Sequence, residues 1–361
     1  ASDVYKRQLQ DMPLADGLGH VHTLNAIQTQ VFHTLSHSRA NVLLCAPYGS
    51  GKWTAALFAI ARAFKQDSEA GGAASSSKNS AALLGIILII EPDAKRIGSR
   101  VDTLTKLAPF LGDINSVHAS STLEHCVPRS IVIMTPADAA NALSGATAAH
   151  AQLPTLSLVV CLHIHKLTPA YELAIMQIRR TQPSRFIATA QCLSTAASFA
   201  AWLHIPTHAM YAFAPSDTPY PVSMSFDTVD IPYSETLVRA YAKPAFDCLE
   251  THEGEVGLLF APTRAQCITA AQELTARFAM KGFTAHPDVE SAAQSIQHQG
   301  LAHLVRQGLA FWHTNLSERD RSTVERLADM RWIRAVLCSF EAAEDVPIQT
   351  SLVIVLGTQY T

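Results

Sequence analysis

Gly49-Ser50-Gly51-Lys52 follows the apolar run Val42 to Cys45 and precedes an Ala-rich segment. Two glycines and a lysine between a strand and a helix are the parts of a phosphate-binding loop. The glycines let backbone N–H groups approach phosphate oxygens at a helix N-terminus, and the lysine meets the β and γ oxygens. The next position should carry the hydroxyl that holds Mg²⁺. Here it is Trp53, and Thr54 comes one residue late. Tyr48 also puts a bulky ring where a small residue would let the loop close. The chemistry left to Gly49, Ser50, Gly51 and Lys52 is phosphate binding, with ATP or ADP as ligand and Mg²⁺ left open. A Gly-rich strand-to-helix turn without a ligand is the plainer alternative.

A second constellation is His163-x-His165. On a strand, residues i and i+2 point to one face, so two imidazoles can share a metal. A hydrolytic centre needs a further ligand and a base. His118, His125, His313 and Cys192 exist, but none stands at a fixed ligand spacing. No metal site is therefore assigned, and a metal-dependent hydrolase using His163 and His165 stands as an alternative only.

These residues need a scaffold. Val42 to Cys45, Leu83 to Ile90, Ile131 to Met134, Leu158 to Leu162 and Phe186 to Ala188 are aliphatic at nearly every position. That pattern suits parallel strands buried on both faces. Thr54 to Phe64 and Ala196 to Leu203 have helical spacing, so strands and helices alternate as in a doubly wound α/β domain. Asp67 to Ser80 is polar and of low complexity, and predicts a surface loop. Around His208 to Pro232 the prolines 215, 219, 221 and 232 break helical periodicity, which predicts a connection. The pattern then restarts, with strands over Glu255 to Phe260, Leu309 to Trp312, Ala335 to Cys338 and Leu352 to Leu356. Helices are expected at Arg264 to Lys281 and Glu318 to Met330. The boundaries expected are an N-terminal extension at 1–20, a first α/β domain at 21–207, a connection at 208–235 and a second α/β domain at 236–361.

Composition narrows the class. Charged residues are 16% and hydrophobic residues 48%, which describes a globular chain. The net charge of −3 gives no bulk excess of Lys and Arg for coating nucleic acid, though a local basic groove is not excluded. Seven scattered cysteines without a C-x-x-C pair favour a reducing compartment, nuclear or cytoplasmic. The longest apolar run, Ala81 to Ile90, is far short of the roughly 20 residues that span a bilayer.

Upstream of the loop lies Leu24-Asn25-Ala26-Ile27-Gln28-Thr29-Gln30. With the loop, this resembles the superfamily 2 DExH RNA helicases of the superkiller-like group, whose members read close to F-N-P-I-Q-T-Q and A-P-T-G-S-G-K-T. It is similar in particular to the C-terminal cassette of the large tandem-cassette members, the spliceosomal helicase and the helicase subunit of the activating signal cointegrator complex. The likeness returns at Thr135-Pro136, Ala201-Trp202-Leu203, Leu259 to Gln266, His313 with Glu318 to Arg321, and Leu352 to Tyr360. It implies two RecA-like, P-loop NTPase-type domains, each a mostly parallel sheet with helices on both faces, the second one truncated. It also implies nucleotide contact by Gln28 with the loop residues, and RNA contact by Thr135, Pro136 and Arg264.

Several motifs depart from that family. The Asp-Glu-x-His that should follow the fourth strand reads Leu162-His163-Ile164-His165. The Asp that holds Mg²⁺ is a leucine, and the Glu that activates water is a histidine. The coupling motif near Ala190-Gln191-Cys192 keeps no hydroxyl. The run that normally reads Thr-x-x-x-x-Trp-Gly-x-Asn is SFEAAEDVP at Ser339 to Pro347, and the arginine-finger motif would follow Thr361. An absent arginine finger alone is worth about 10³–10⁵ in rate in related NTPases. The expectation is a degenerate RNA helicase cassette, a regulatory and protein-docking scaffold in a ribonucleoprotein complex, beside a preceding active cassette. An active ATP-dependent RNA helicase is the first alternative. Three features outside these motifs stay two-sided or bland. Lys95, Arg96 and Arg100 suit either phosphate contact or a solvated helix face. Trp202 reads as core, and Trp312 as core or a stacking platform.

Overall fold

The computed structural model describes residues 14–17, 23–73, 85–124, 126–148, 153–220, 222–231, 235–281, 286–313, 315–343 and 346–357. The chain forms two compact units, 1–222 and 223–361.

The first unit is built on a seven-stranded parallel sheet. Its strands are β1 (Val42–Cys45), β2 (Ile86–Ile90), β3 (Ser116–Ala119), β4 (Ser130–Met134), β5 (Leu156–Cys161), β6 (Arg185–Ala190) and β7 (Met210–Ala212), in the order β3-β4-β2-β5-β6-β1-β7. The inner strands β1, β2 and β4 are buried at every residue, as continuous aliphatic runs require. Helices α1 (Ala26–His37), α2 (Lys52–Ala73), α3 (Ala94–Leu111), α4 (Pro136–Ala148), α5 (Pro169–Thr181) and α6 (Ala196–Trp202) connect them. Leu14–Gly17 is a helical turn whose Leu14 joins the core, with Gly17 against Phe110 and Leu107.

Three local features differ from expectation. The edge strands β3 and β7 carry short mixed sequences, SVHA and MYA, that are only partly buried, so no apolar run marks them. Strand β7 lies within the stretch expected as a connection and pairs with β1. Helix α2 runs through Ala73, so Asp67 to Ala73 is helical where a loop was expected. No proline interrupts it, and propagation adds a bond for each residue fixed. Residues 74–80 lie outside the described residues, as do 83 and 84 of the expected second strand.

The second unit has a four-stranded parallel sheet, β11-β8-β10-β9, of β8 (Gly257–Ala261), β9 (Leu309–Trp312), β10 (Ala335–Ser339) and β11 (Leu352–Val355). Helices α7 (Glu235–Thr251) and α8 (Arg264–Met280) bury Leu259, Leu309, Ala335 and Leu337 on one face. On the other, α9 (Val289–Ser295), α10 (Gln299–Arg306) and α11 (Glu318–Asp329) bury Leu258, Ala310, Val336 and Cys338. Alternate strand residues thus serve opposite layers, which is how one short strand is covered on both sides. The chain therefore has the α/β class and parallel sheets expected of it. Among the described residues no helix is long and apolar enough to cross a membrane.

Candidate functional site

Strands β5, β6 and β1 are neighbours in the first sheet, and their C-terminal ends carry Leu162, Gln191 and Pro47 in turn. Ligands of open α/β sheets bind at such strand ends. The topology thus assembles the loop after β1, the degenerate box after β5 and the short segment after β6.

In the phosphate-binding loop, Gly49 and Gly51 both have φ of 75°. Gly51 is also packed tightly: a Cβ there would fall 2.1 Å from the Gln28 amide nitrogen. Lys52 opens α2, but its ammonium turns back on the loop, donating to the carbonyls of Ala46 at 2.8 Å and Pro47 at 2.6 Å. Burial lowers its pKa. Gln28 is engaged at both ends. Its amide oxygen accepts the Asn25 N–H at 3.1 Å, and its amide nitrogen donates to the Gly51 carbonyl at 3.3 Å. The Asn25 side chain caps α1 and donates to the Ser50 carbonyl at 3.0 Å. Asn25 and Gln28 therefore hold the loop from behind.

Trp53 has a partner that sequence reading missed. The Arg100 guanidinium lies over its ring, 4.2 Å from the centroid. Arg100 Nε also donates to Glu91 at 3.4 Å, and Glu91 is fully buried at the end of β2. The other Glu91 oxygen accepts the Asp93 N–H at 3.2 Å. Desolvation raises the Glu91 pKa and Arg100 opposes that rise. A buried carboxylate needs a paired cation. Arg100 is thus an internal counter-ion and not a solvated helix residue. The signal was available in sequence: Glu91 follows five buried aliphatic residues, and a carboxylate there demands a partner.

After β5 the chain leaves extended geometry. Leu162 is buried and donates its N–H to Ile90, while its carbonyl accepts the Tyr171 hydroxyl at 2.8 Å. His163 takes a left-handed conformation, φ 51°, and Ile164–Lys166 forms a single turn of tight helix. The strand alternation invoked for His163 and His165 therefore does not apply. Their rings meet edge to face at 5.7 Å, and His165 Nδ1 accepts the Gln191 N–H at 3.2 Å. Burial, then Arg96, His165, Arg100 and Lys166, hold the His163 pKa down to about 4. Its basicity matches a carboxylate, but it is neutral at pH 7 and offers no negative charge to a metal. No group of metal-binding residues assembles among the described residues.

The parts fit phosphate and do not fit Mg²⁺. The N-terminus of α2 can meet an anion, and Lys52 lies beside it. Trp53 and Leu162 offer no oxygen at the two positions where the metal would be held, so no catalytic step runs through it.

Thr135 accepts the Asp138 N–H at 3.1 Å and donates to its carboxylate at 2.6 Å, which fixes the first turn of α4 over Pro136. Arg264 begins α8 in the second unit and lies 3.5 Å from Glu341. Glu344, Asp345, His125 and the final Thr358-Gln359-Tyr360 lie outside the described residues. Trp202 is half-buried against the first core, and Trp312 is buried in the second.

The sequence profile of the family described as DEAD/DEAH box helicase matches residues 25–201. That span runs from Asn25, behind the loop, to the end of the first sheet's site-forming segments. The chain carries a DEAD/DEAH box helicase domain. It is similar over 98% of its length, at 25% identity, to activating signal cointegrator 1 complex subunit 3 of Mus musculus. Over 93% it is 26% identical to the U5 small nuclear ribonucleoprotein 200 kDa helicase of Mus musculus and 27% identical to the DExH-box ATP-dependent RNA helicase DExH14 of Arabidopsis thaliana. The chain spans only 16% of the length of each of these relatives. The solved structure of the DUF1998 helicase MrfA bound to DNA superposes with a TM-score of 0.59 at 12% identity, covering 96% of this chain and 44% of that one. That likeness concerns the fold and agrees with RecA-like domains. Within that domain Trp53 follows the loop lysine and Leu162 follows β5.

Proposed function

We propose that this chain is a degenerate RNA helicase cassette that serves as a regulatory and protein-docking scaffold in a ribonucleoprotein complex. The observation that carries the reading is the cluster Trp53–Arg100–Glu91. An indole and its own guanidinium partner stand where a metal hydroxyl belongs, beside Leu162 in place of a carboxylate. Phosphoryl transfer depends almost wholly on positioning and charge neutralisation, so their loss removes the chemistry and leaves binding.

The loop retains enough to take ATP or ADP without Mg²⁺, through the N-terminus of α2 and Lys52. Docking is supported by the relatives' names, which place them in a cointegrator complex and a ribonucleoprotein. Tyr220, Val222, Met224 and Phe226, each over 70% exposed, offer a partner apolar contacts at alternate positions. A nuclear or cytoplasmic site and a neighbouring active cassette belong to the same reading, as does weak RNA contact through Thr135, Pro136 and Arg264.

Titration with a fluorescent ATP analogue tests it. The expected result is equal affinity with and without Mg²⁺, lost on Lys52→Ala. An affinity raised about tenfold or more by Mg²⁺, worth about 1.4 kcal/mol, would mean that a metal site has been rebuilt.

A further inference from the structure

Outside the loop, two places hold side chains with chemistry to offer. One is a cavity of about 330 Å³ in the second unit, between α8, α10 and the ends of β9 and β10. Leu337 pairs with Phe311, so Ser339 comes opposite His313 on the face covered by α8. The cavity lies where open α/β sheets ordinarily take ligands, so it follows from the fold. The other place is the outer face of α1 and does not.

Helix α1 buries Ile27, Val31, Phe32, Thr34 and Leu35 and leaves Gln30, His33 and His37 exposed. His33 and His37 are four residues apart, so their side chains stand one above the other on the same face. Their rings are stacked, with centroids 5.1 Å apart and planes within 18° of parallel. The buried Phe32 ring also meets His37 edge-on at 6.1 Å and steadies it. Among the described residues neither imidazole has a hydrogen bond or an ion pair, so the ring nitrogens are free to meet a ligand. Two imidazoles bound to one ion at about 2.0–2.1 Å, in neighbouring positions, bring their centroids roughly 4.5–5 Å apart. The pair already stands close to that spacing. Binding therefore needs the rings to turn and no backbone movement.

We propose that His33 and His37 form a surface chelate for a divalent transition-metal ion of the zinc or nickel class. Imidazole suits these cations, whereas Mg²⁺ and Ca²⁺ favour oxygen ligands. The protein supplies two ligands and water completes the shell. A catalytic ion needs three protein ligands or more, and no such group assembles among the described residues. Spacing failed for His163 and His165 because the chain turns there; it holds here because α1 is a regular helix. The ion ties the last turn of α1 to the turn before it, on the helix whose first turn holds the loop through Asn25 and Gln28. Cys248 and His252 on α7 share the spacing, with Sγ 3.9 Å from Nδ1. They make a poorer chelate. His252 Nδ1 lies 3.0 Å from the Cys248 carbonyl, and burial, then Asp227, push the Cys248 thiol up, away from the thiolate that a metal takes.

Calorimetric titration of the whole chain with Ni²⁺ alone tests the assignment. The expected result is saturable binding that weakens about tenfold or more in His33→Ala and equally in His37→Ala, because chelation makes the second contact intramolecular. Both positions are exposed, so the fold should tolerate either change. Cys248→Ala should leave the affinity unchanged, which separates the two pairs. Absence of saturable binding, an affinity that survives both histidine substitutions, or binding lost on Cys248→Ala would overturn the proposal.

Discussion

The strand ends of the two sheets treat their polar groups in opposite ways. In the first unit the groups that should face a nucleotide are spent inside the protein. Lys52 bonds the loop carbonyls, Gln28 bonds Asn25 and Gly51, and Arg100 pairs with Glu91 while covering Trp53. In the second, Ser339 and His313 keep buried atoms with no protein partner beside a cavity. One parallel-sheet architecture has produced a self-satisfied site and an unsatisfied one. Ancestry marks where a site stands, while polar accounting tells which of its groups must first leave a protein partner to meet a ligand.

Breaking the closed side should cost most. Arg100→Ala leaves Glu91 buried without its cation, and removing one partner of a buried pair costs about 3–5 kcal/mol. Burial already lifts the Glu91 pKa, and losing Arg100 lifts it further. A carboxyl whose folded pKa exceeds its unfolded value loses stability as pH rises through the folded pKa. The deficit of Arg100→Ala should therefore be largest near pH 7 and shrink toward pH 4, as read from denaturant midpoints. Adding Glu91→Gln should recover much of it at neutral pH. A deficit independent of pH would detach Glu91 from the account.

The open side should respond far less, and in the other direction. Ser339→Ala removes a buried hydroxyl that bonds nothing in the protein, so the free chain should keep its stability or gain up to about 1 kcal/mol. The same chemical denaturation measurement decides it. A loss of more than about 1 kcal/mol would mean that Ser339 is satisfied within the fold.

Much of the fold was legible because the inner strands are unbroken aliphatic runs: Ile86–Ile90 and Ser130–Met134 could hardly be anything else in this pattern. Strands β3 and β7 were not, because partly buried edge positions relax the demand for apolar residues. The end of α2 was hidden by composition, since Asp67 to Ala73 reads as a loop yet continues a helix already nucleated. At the site, residue types located the loop and the degenerate box. They did not reveal that Lys52 turns back, since that depends on carbonyl positions. The Glu91–Arg100–Trp53 chain was present as three residue types, but their meeting needs β2, α2 and α3 packed together. The cavity required the β9–β10 register, which no single strand encodes. His163 and His165 show the reverse error. Their spacing suggested a shared strand face, and a left-handed turn at His163 removes the premise.

The central claim is that the first unit has kept a phosphate-binding loop and lost phosphoryl-transfer chemistry. Single-turnover ATP hydrolysis by the whole chain, with Mg²⁺ and with single-stranded RNA, tests it most directly. The account predicts a rate indistinguishable from buffer, unchanged by RNA and by Lys52→Ala. A metal-dependent, RNA-stimulated rate that disappears on Lys52→Ala would contradict it.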